Sequence, residues 1–247
     1  MDIRSVPRIG IVVPPENPTA EPEFHQFFGA GMNVHTTRFP VLPGQGLRAM
    51  LETYNEVLPG VLDGFGRLPL DAAVVACSAS HYLLGPDGDR EFCARLGERA
   101  GYPVRSSALT TLAAIEALGL DRLTLVSPYE PWLTELSRGY WEKAGLTVDA
   151  VMQIRAGKVH DPYRVTTEGL LEQVRRNPLP EDGAVLFTGT GMFTLAALDE
   201  LACPERVLMS SNLASAWWAL QVTGAPVTAP TVHPLLKGLA AHRANPA

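Results

Sequence analysis

Short apolar runs alternate with longer stretches of helical period along the chain. The runs are RIGIVVP (8–14), NVHTTRF (33–39), AAVVAC (72–77), PVRSS (103–107), RLTLVSP (122–128), LTVDAVM (146–152), AVLFTG (184–189) and RVLMSS (206–211). Runs of this length, bounded by turn formers, predict strands. Between 47 and 62 the apolar positions are Leu47, Met50, Leu51, Tyr54, Val57, Leu58 and Leu62, close to the i, i+3, i+4 spacing of a helix with one apolar face. Pro59 is expected to kink or end that helix. Leu109, Leu112, Ala113 and Ile115 mark another, ended by Gly119. Further helices are expected over 131–144, 167–176, 192–202 and 212–222. Strands alternating with helices imply parallel sheets with right-handed crossovers.

The alternation falls into two rounds of four strands. DAAVVACS (71–78) in the first half resembles DGAVLFTG (182–189) in the second, and RIGIVVP resembles RLTLVSP. The predicted fold is therefore α/β: two pseudo-symmetric domains, each a four-stranded parallel sheet flanked by helices. The expected division is 1–118 with 213–247 against 119–212, the C-terminal helix returning to the first domain. Ligands of such sheets bind beyond the carboxyl ends of the strands. Two such domains face to face would gather both sets of strand ends around one cleft. Cys77, Pro14 to Thr19, Ser127 to Tyr129 and Thr188 to Thr190 all stand at predicted strand ends.

Composition narrows the partners. A net charge of −6 argues against nucleic acid, which needs clustered lysine and arginine. No apolar run approaches the ~20 residues that span a bilayer, so no membrane partner is expected. MDIRSVPRIG has no signal-peptide pattern. The 3 cysteines, at 77, 93 and 203, lack CxxC spacing and cannot all pair, which suits a reduced cytoplasmic protein without structural zinc. Neither a GxGxxG turn after the first strand nor a P-loop is present.

Cys77 is the first candidate for chemistry. The run AAVVAC ends on it, and small polar residues follow. Backbone N–H groups of Ser78, Ala79 and Ser80, at the start of a helix, would lower its pKa and hold an anion beside it. The plainer alternative is a small buried hydrophobe. Cys93 and Cys203, on helix-like segments, are expected to be inert core residues. In PPENPTAEPEF (14–24), Asn17 and Thr19 could hydrogen-bond a carboxylate or simply cap a helix. Tyr129 in LVSPYEPW could offer its hydroxyl to an anion or be a half-buried loop tyrosine. Thr188, Gly189, Thr190 and Gly191 in FTGTGMFTL form either a backbone cradle for a carboxylate or phosphate or a tight strand-to-helix turn. His81, His160 and Asp161 rank lower: His81 lies four residues beyond Cys77 and is read as a satisfied histidine rather than a hydrolytic partner. Phe39, Tyr82 and Met192 are candidate pocket walls, and Trp217 and Trp218 read as core and surface of the last helix.

Taken together, PPENPTAEPE, ACSASHYLLG, SPY (127–129), TGTGMFTL (188–195) and SSN (210–212) resemble the aspartate/glutamate racemase superfamily, in its branch of maleate cis–trans isomerases and arylmalonate decarboxylases. The resemblance spans nearly the whole chain. It implies two similar α/β domains with the active site between them, no metal or cofactor, and a small carboxylate or dicarboxylate as substrate. It assigns Cys77 as the catalytic residue. It implies substrate binding by Pro14, Asn17, Ser78, Ala79, Tyr129, Thr188, Gly189 and Thr190. Oligomeric state is left open.

Two departures stand out. Racemases of this superfamily place one cysteine at a strand end in each half, and here the second is missing. Its place is Gly189 when aligned on TGMFTL and Thr188 when aligned on the internal repeat. The isomerases carry an asparagine after the sixth strand, where this chain reads HDPYR (160–164), with Pro162 there and Arg164 nearby as a possible ligand for a second carboxylate. One thiol disfavours two-base racemisation, because a threonine hydroxyl is too weak an acid and base near pH 7. It allows maleate isomerase-like cis–trans isomerisation by addition of Cys77 to the alkene, the leading expectation. It also allows arylmalonate decarboxylase-like decarboxylation with Cys77 as proton donor. A non-catalytic carboxylate-binding protein and a Cys77–His81 hydrolase are the remaining alternatives.

Overall fold

The computed structural model describes residues 6–226 and 231–244. Residues 1–5, part of the stretch read for targeting, lie outside the described residues, as do 227–230 and 245–247 of the expected first domain. In the first half, the strands are β1 (Arg8–Val13), β2 (Asn33–Arg38), β3 (Ala72–Val75) and β4 (Val104–Ser106). In the second they are β5 (Arg122–Ser127), β6 (Thr147–Gln153), β7 (Gly183–Phe187) and β8 (Arg206–Ser210). The first sheet runs β2-β1-β3-β4 and the second β6-β5-β7-β8, each parallel throughout. The second order is the first shifted by four, so the repeat seen in the sequence is a repeat of topology. The central strands are nearly continuous apolar runs because helices cover both faces: Ile9, Ile11, Val12 and Val13 of β1 and Ala72 to Val75 of β3 have no exposed surface.

The helices are α1 (Ala20–Phe28), α2 (Leu47–Leu62), α3 (Ser78–Tyr82), α4 (Gly85–Ala100), α5 (Ser107–Ala117), α6 (Pro131–Lys143), α7 (Thr167–Arg176), α8 (Leu195–Leu201), α9 (Ser211–Thr223) and α10 (Pro234–Ala244). The expectation at Pro59 needs correction as to an end: α2 runs through it to Leu62, and Pro59 sits in the last turn. Helices α1 and α4 were not expected from periodicity. The α4 sequence GPDGDREFCARLGERA is mostly polar and rich in glycine, and only Pro86, Asp89, Cys93 and Leu96 of it are buried.

Helix α9 follows the last strand of the second sheet yet packs on α1, α5 and β3. Helices α3 and α4 touch α6 across the cleft. Trp218 is a correction: only 6% of its surface is exposed, and the Arg105 guanidinium lies over its ring. Cys203 is another, since it follows α8 in an isolated bridge to Arg206 and is only partly buried. No described helix is long and apolar enough to cross a membrane.

Candidate active site

The sheets meet around a cavity of about 340 Å³ whose lining comes from both halves. Strand β3 delivers Ala76 and Cys77 to its edge, and α3 starts at the next residue. Cys77, Ser78 and Ala79 line the cavity, and so do Pro14 and Tyr129. The Cys77 thiol is pushed above its ordinary pKa by burial, while hydrogen bonds from the Ser80 side chain and N–H pull it down less. The expectation of a lowered pKa is therefore corrected. Desolvation outweighs the donors at the start of α3, a helix of 5 residues with little dipole to offer. The Ser78 hydroxyl is turned away from solvent and shares a hydrogen bond of 2.7 Å with Ser107 Oγ.

Three phenols surround the thiol: Tyr54 from α2, Tyr129 just after β5, and Tyr163 from the 3-10 turn Pro162–Arg164. Burial raises all three, with the nearby Cys77 charge as a further cause for each. Tyr54 is pushed up to about 12 and Tyr129 well above its ordinary value. All three stay protonated at neutral pH and act as neutral hydrogen-bond donors. No hydrogen bond joins any of these hydroxyls to another group among the described residues. The other polar lining is acidic or imidazole: Glu16, Glu130, Asp161 and His160. No lysine or arginine is among the described lining residues. An apolar wall of Leu47, Met50, Leu51 and Leu133 completes the cavity.

The turn after β7 divides. Thr190 and Gly191 line the cavity, but Thr188 and Gly189 do not. Thr188 Oγ1 is 2.5 Å from Tyr82 Oη and has no exposed surface. Gly189 has φ +91°, and a Cβ there would lie 2.4 Å from Tyr129 Oη. Gly191 is constrained in the same way, since a Cβ would lie 2.4 Å from Tyr163 Cε1. The two glycines make room for two tyrosines.

Asn17 is a correction too. It is 2% exposed and absent from the cavity wall. Its Nδ2 donates to Thr190 O and Oγ1 at 3.2 Å, and its Oδ1 accepts from the Thr19 and Ala20 N–H groups. The capping alternative describes it better. Thr19 Oγ1 donates to Gly191 O at 2.8 Å. Glu23 Oε1 accepts from the Thr194 and Leu195 N–H groups, and Oε2 from Asn212 Nδ2. Thr190 Oγ1 donates to Ala76 O at 2.7 Å. The 188–195 segment is thus fastened to the first half.

His81 is a core histidine. Its Nδ1 is 2.7 Å from Asp89 Oδ1, and Asp89 also accepts from Cys93, Ser106 and Tyr140. Ligand atoms of His81, Asp89 and Cys93 lie within 4.8 Å of one another, a grouping the sequence spacing hid, but the aspartate's oxygens are taken up by hydrogen bonds. Ser80 Oγ donates to the Cys77 carbonyl at 3.1 Å, and His81 pairs with Asp89 rather than with the thiol. Phe39, Tyr82 and Met192 do not line the cavity; Phe39 instead stacks on Tyr54 at 4.3 Å. Arg164 is exposed, with Asp161 at 3.6 Å, and does not line the cavity either. Tyr163, beside it, was not singled out. The one available signal was its place after the second strand of its sheet, in a loop already marked by His160 and Asp161.

The arrangement offers one thiol, neutral donors and an apolar wall. It can bond to, or protonate, a carbon next to a carboxylate and hold the resulting anion without a metal. Comparison with known proteins agrees. The chain is 27% identical over 246 residues to a maleate isomerase of Nocardia farcinica, covering 93% of this chain and 95% of that protein. It is 25% identical over 238 residues to an arylmalonate decarboxylase of Bordetella bronchiseptica, covering 91% and 93%. Among solved structures, the fold matches a maleate isomerase variant of Pseudomonas putida with maleate, at a TM-score of 0.81 and 20% identity, over 95% of this chain and 98% of that one. It also matches an N. farcinica maleate cis–trans isomerase, one cysteine replaced by serine, holding a covalently bound succinylcysteine intermediate, at 0.77 and 25% identity, over 95% and 99%. The family described as arylmalonate decarboxylase matches residues 9–236, and the chain belongs to it.

Proposed function

We propose that the protein is a cofactor-independent enzyme that acts through Cys77 next to a carboxylate of a small dicarboxylic acid, as a maleate isomerase-like cis–trans isomerase. The observation that carries this reading is that the Cys77 thiol lines one cavity with Tyr54, Tyr129 and Tyr163, whose hydroxyls have no hydrogen-bond partner among the described residues. The covalent succinylcysteine of the N. farcinica relative, formed with one of its cysteines replaced by serine, supports addition by a single thiol. The Cys77 sulfur, as thiolate, bonds to one alkene carbon of a cis-enedioate such as maleate. The π pair moves to the neighbouring carbon and into its carboxylate, giving an enediolate held by the phenols and the α3 amides. The C–C bond, now single, turns by half a rotation. The pair then re-forms the double bond, the C–S bond breaks, and trans isomer and thiolate are released.

Decarboxylation is the second reading, favoured by the raised pKa of Cys77 and the apolar wall. A malonate-type acid would lose CO2, leaving the bond pair as an enediolate. Cys77 S–H would give its proton to the carbon, and water would reprotonate the sulfur. Three free cysteines suit a reducing, cytoplasmic setting for either reaction.

Proton NMR in D2O of wild type and Cys77→Ala, each given maleate and phenylmalonate, separates the readings. Fumarate formed from maleate by wild type alone establishes the isomerase. Deuterated phenylacetate from phenylmalonate establishes the decarboxylase. Turnover that survives Cys77→Ala overturns both.

A further inference from the structure

We infer that Tyr163 is a substrate-binding residue whose hydroxyl donates a hydrogen bond to a second carboxylate of the substrate. This inference rests on the proposed dicarboxylate substrate and deepens it. The N–H groups of Ser78 and Ala79, which have no partner within α3, can hold one carboxylate beside Cys77. A dianion needs a second holding point, and the cavity supplies no lysine or arginine for it among the described lining residues. Arg164, the cation next to Tyr163 in the chain, is exposed with Asp161 beside it.

Tyr163 has what Arg164 lacks. It lines the cavity, and its hydroxyl has no partner among the described residues. Its position is built rather than incidental. Asp161 Oδ1 accepts from the Tyr163 N–H at 3.0 Å, and Pro162 fixes the first residue of the turn. Gly191, packed directly against the ring, admits it where any side chain would strike Cε1 and Cδ1. Thr19 holds the Gly191 carbonyl at 2.8 Å, so the wall behind the ring is fastened to the first half. A phenol also suits a site already rimmed by Glu16, Glu130 and Asp161: it donates to a carboxylate without forming an ion pair with its neighbours.

The test is calorimetric titration with succinate, a saturated dicarboxylate that Cys77 cannot add to, and with butyrate, its one-carboxylate counterpart. The proteins are wild type, Tyr163→Phe and Arg164→Ala. Tyr163→Phe keeps the ring against Gly191 and removes only the hydroxyl. It should weaken succinate ~10- to 100-fold, the range for one hydrogen bond to a charged group, and change butyrate less than about threefold. Arg164→Ala should bind both acids as wild type does. Equal losses for both acids in Tyr163→Phe, unchanged succinate binding there, loss in Arg164→Ala alone, or no succinate binding by wild type each overturn the inference. Maleate turnover is followed separately. If succinate binding depends on the Tyr163 hydroxyl but maleate is untouched, the isomerase reading fails and Tyr163 stands as the second carboxylate's donor.

Discussion

Gly189 and the Tyr129 hydroxyl occupy one place: a Cβ on the glycine would stand 2.4 Å from the phenol oxygen. The site has a tyrosine where the resemblance leads one to look for a second thiol. Restoring that thiol by Gly189→Cys should therefore not give a racemase. The left-handed backbone costs ~1–2 kcal/mol for a residue with a Cβ, and the overlap with Tyr129 costs ~1–3 kcal/mol more. Denaturant unfolding of Gly189→Cys should show the loss. Adding Tyr129→Ala should return the steric part and leave the backbone part.

Thr188→Cys tests the other register. The new thiol would be sealed beside Tyr82 and Ser137, away from the cavity. It should fold, lose ~1–2 kcal/mol with the broken hydrogen bond to Tyr82, and add no thiol that reacts with iodoacetamide in the native state. Mass spectrometry of the alkylated protein reads this directly.

The pH dependence of Cys77 separates the two reactions. Burial raises its pKa above the ordinary 9.0, so thiolate is the minor form at neutral pH. If the free enzyme must add as thiolate, kcat/KM rises close to tenfold per pH unit from 7 to 9. If Cys77 serves as an acid, kcat/KM is flat over that range and falls only above the raised pKa. Cys77 alkylation by iodoacetamide, counted by peptide mapping, should be slower than that of free cysteine at pH 7.5 and should climb past pH 9.

Glu23 is fully buried and joins α1 to the start of α8 and to α9. Glu23→Ala leaves the Thr194 and Leu195 N–H groups and the Asn212 amide without their acceptor, at a cost of about 2–4 kcal/mol in unfolding free energy. Burial is the largest influence on its carboxyl and raises its pKa above 4.5, against the pull of Asn212, Thr194 and Leu195. The folded state then holds the proton more tightly than the unfolded one. Stability is fully present below 4.5 and declines as pH climbs toward the native pKa. Urea midpoints taken across that window should fall with pH in wild type and lack that component in Glu23→Gln.

The rim carboxylates work against a dianion. With Glu16, Glu130 and Asp161 at the cavity, raising salt from low to physiological strength should lower KM for a dicarboxylate by about two- to fivefold as their field is screened. Glu16→Gln should lower KM at low salt and flatten the response. A KM that rises with salt would show that attraction dominates instead.

The inner strands were legible because a parallel strand covered on both faces must be a nearly unbroken apolar run, as in RIGIVV and GAVLF. Helix α2 was legible from its stripe. Helix α4 was legible only as a helix-like segment around Cys93 and not by its extent, since only one edge of it is buried and its glycines and charges blur the stripe. The Cys77 end of the site could be read because its chemistry is local: a strand, a thiol, then small residues. The far wall could not. Whether Asn17 faces a ligand or Thr190, and whether Tyr163 or Arg164 turns inward, depends on contacts between the halves. Residues 173 apart in the chain decide the first.

The buried fastenings at Asn17, Thr19, Glu23 and Thr190 also bear on how the protein selects what it accepts. Lobes joined by these hydrogen bonds must break them before they can swing apart like a clamshell. The cavity is a mould, set before the guest arrives, and little binding energy is spent on closing it. Discrimination then falls on outline: an acid whose apolar part overruns Leu47, Met50, Leu51 and Leu133 meets no hinge that would give it room.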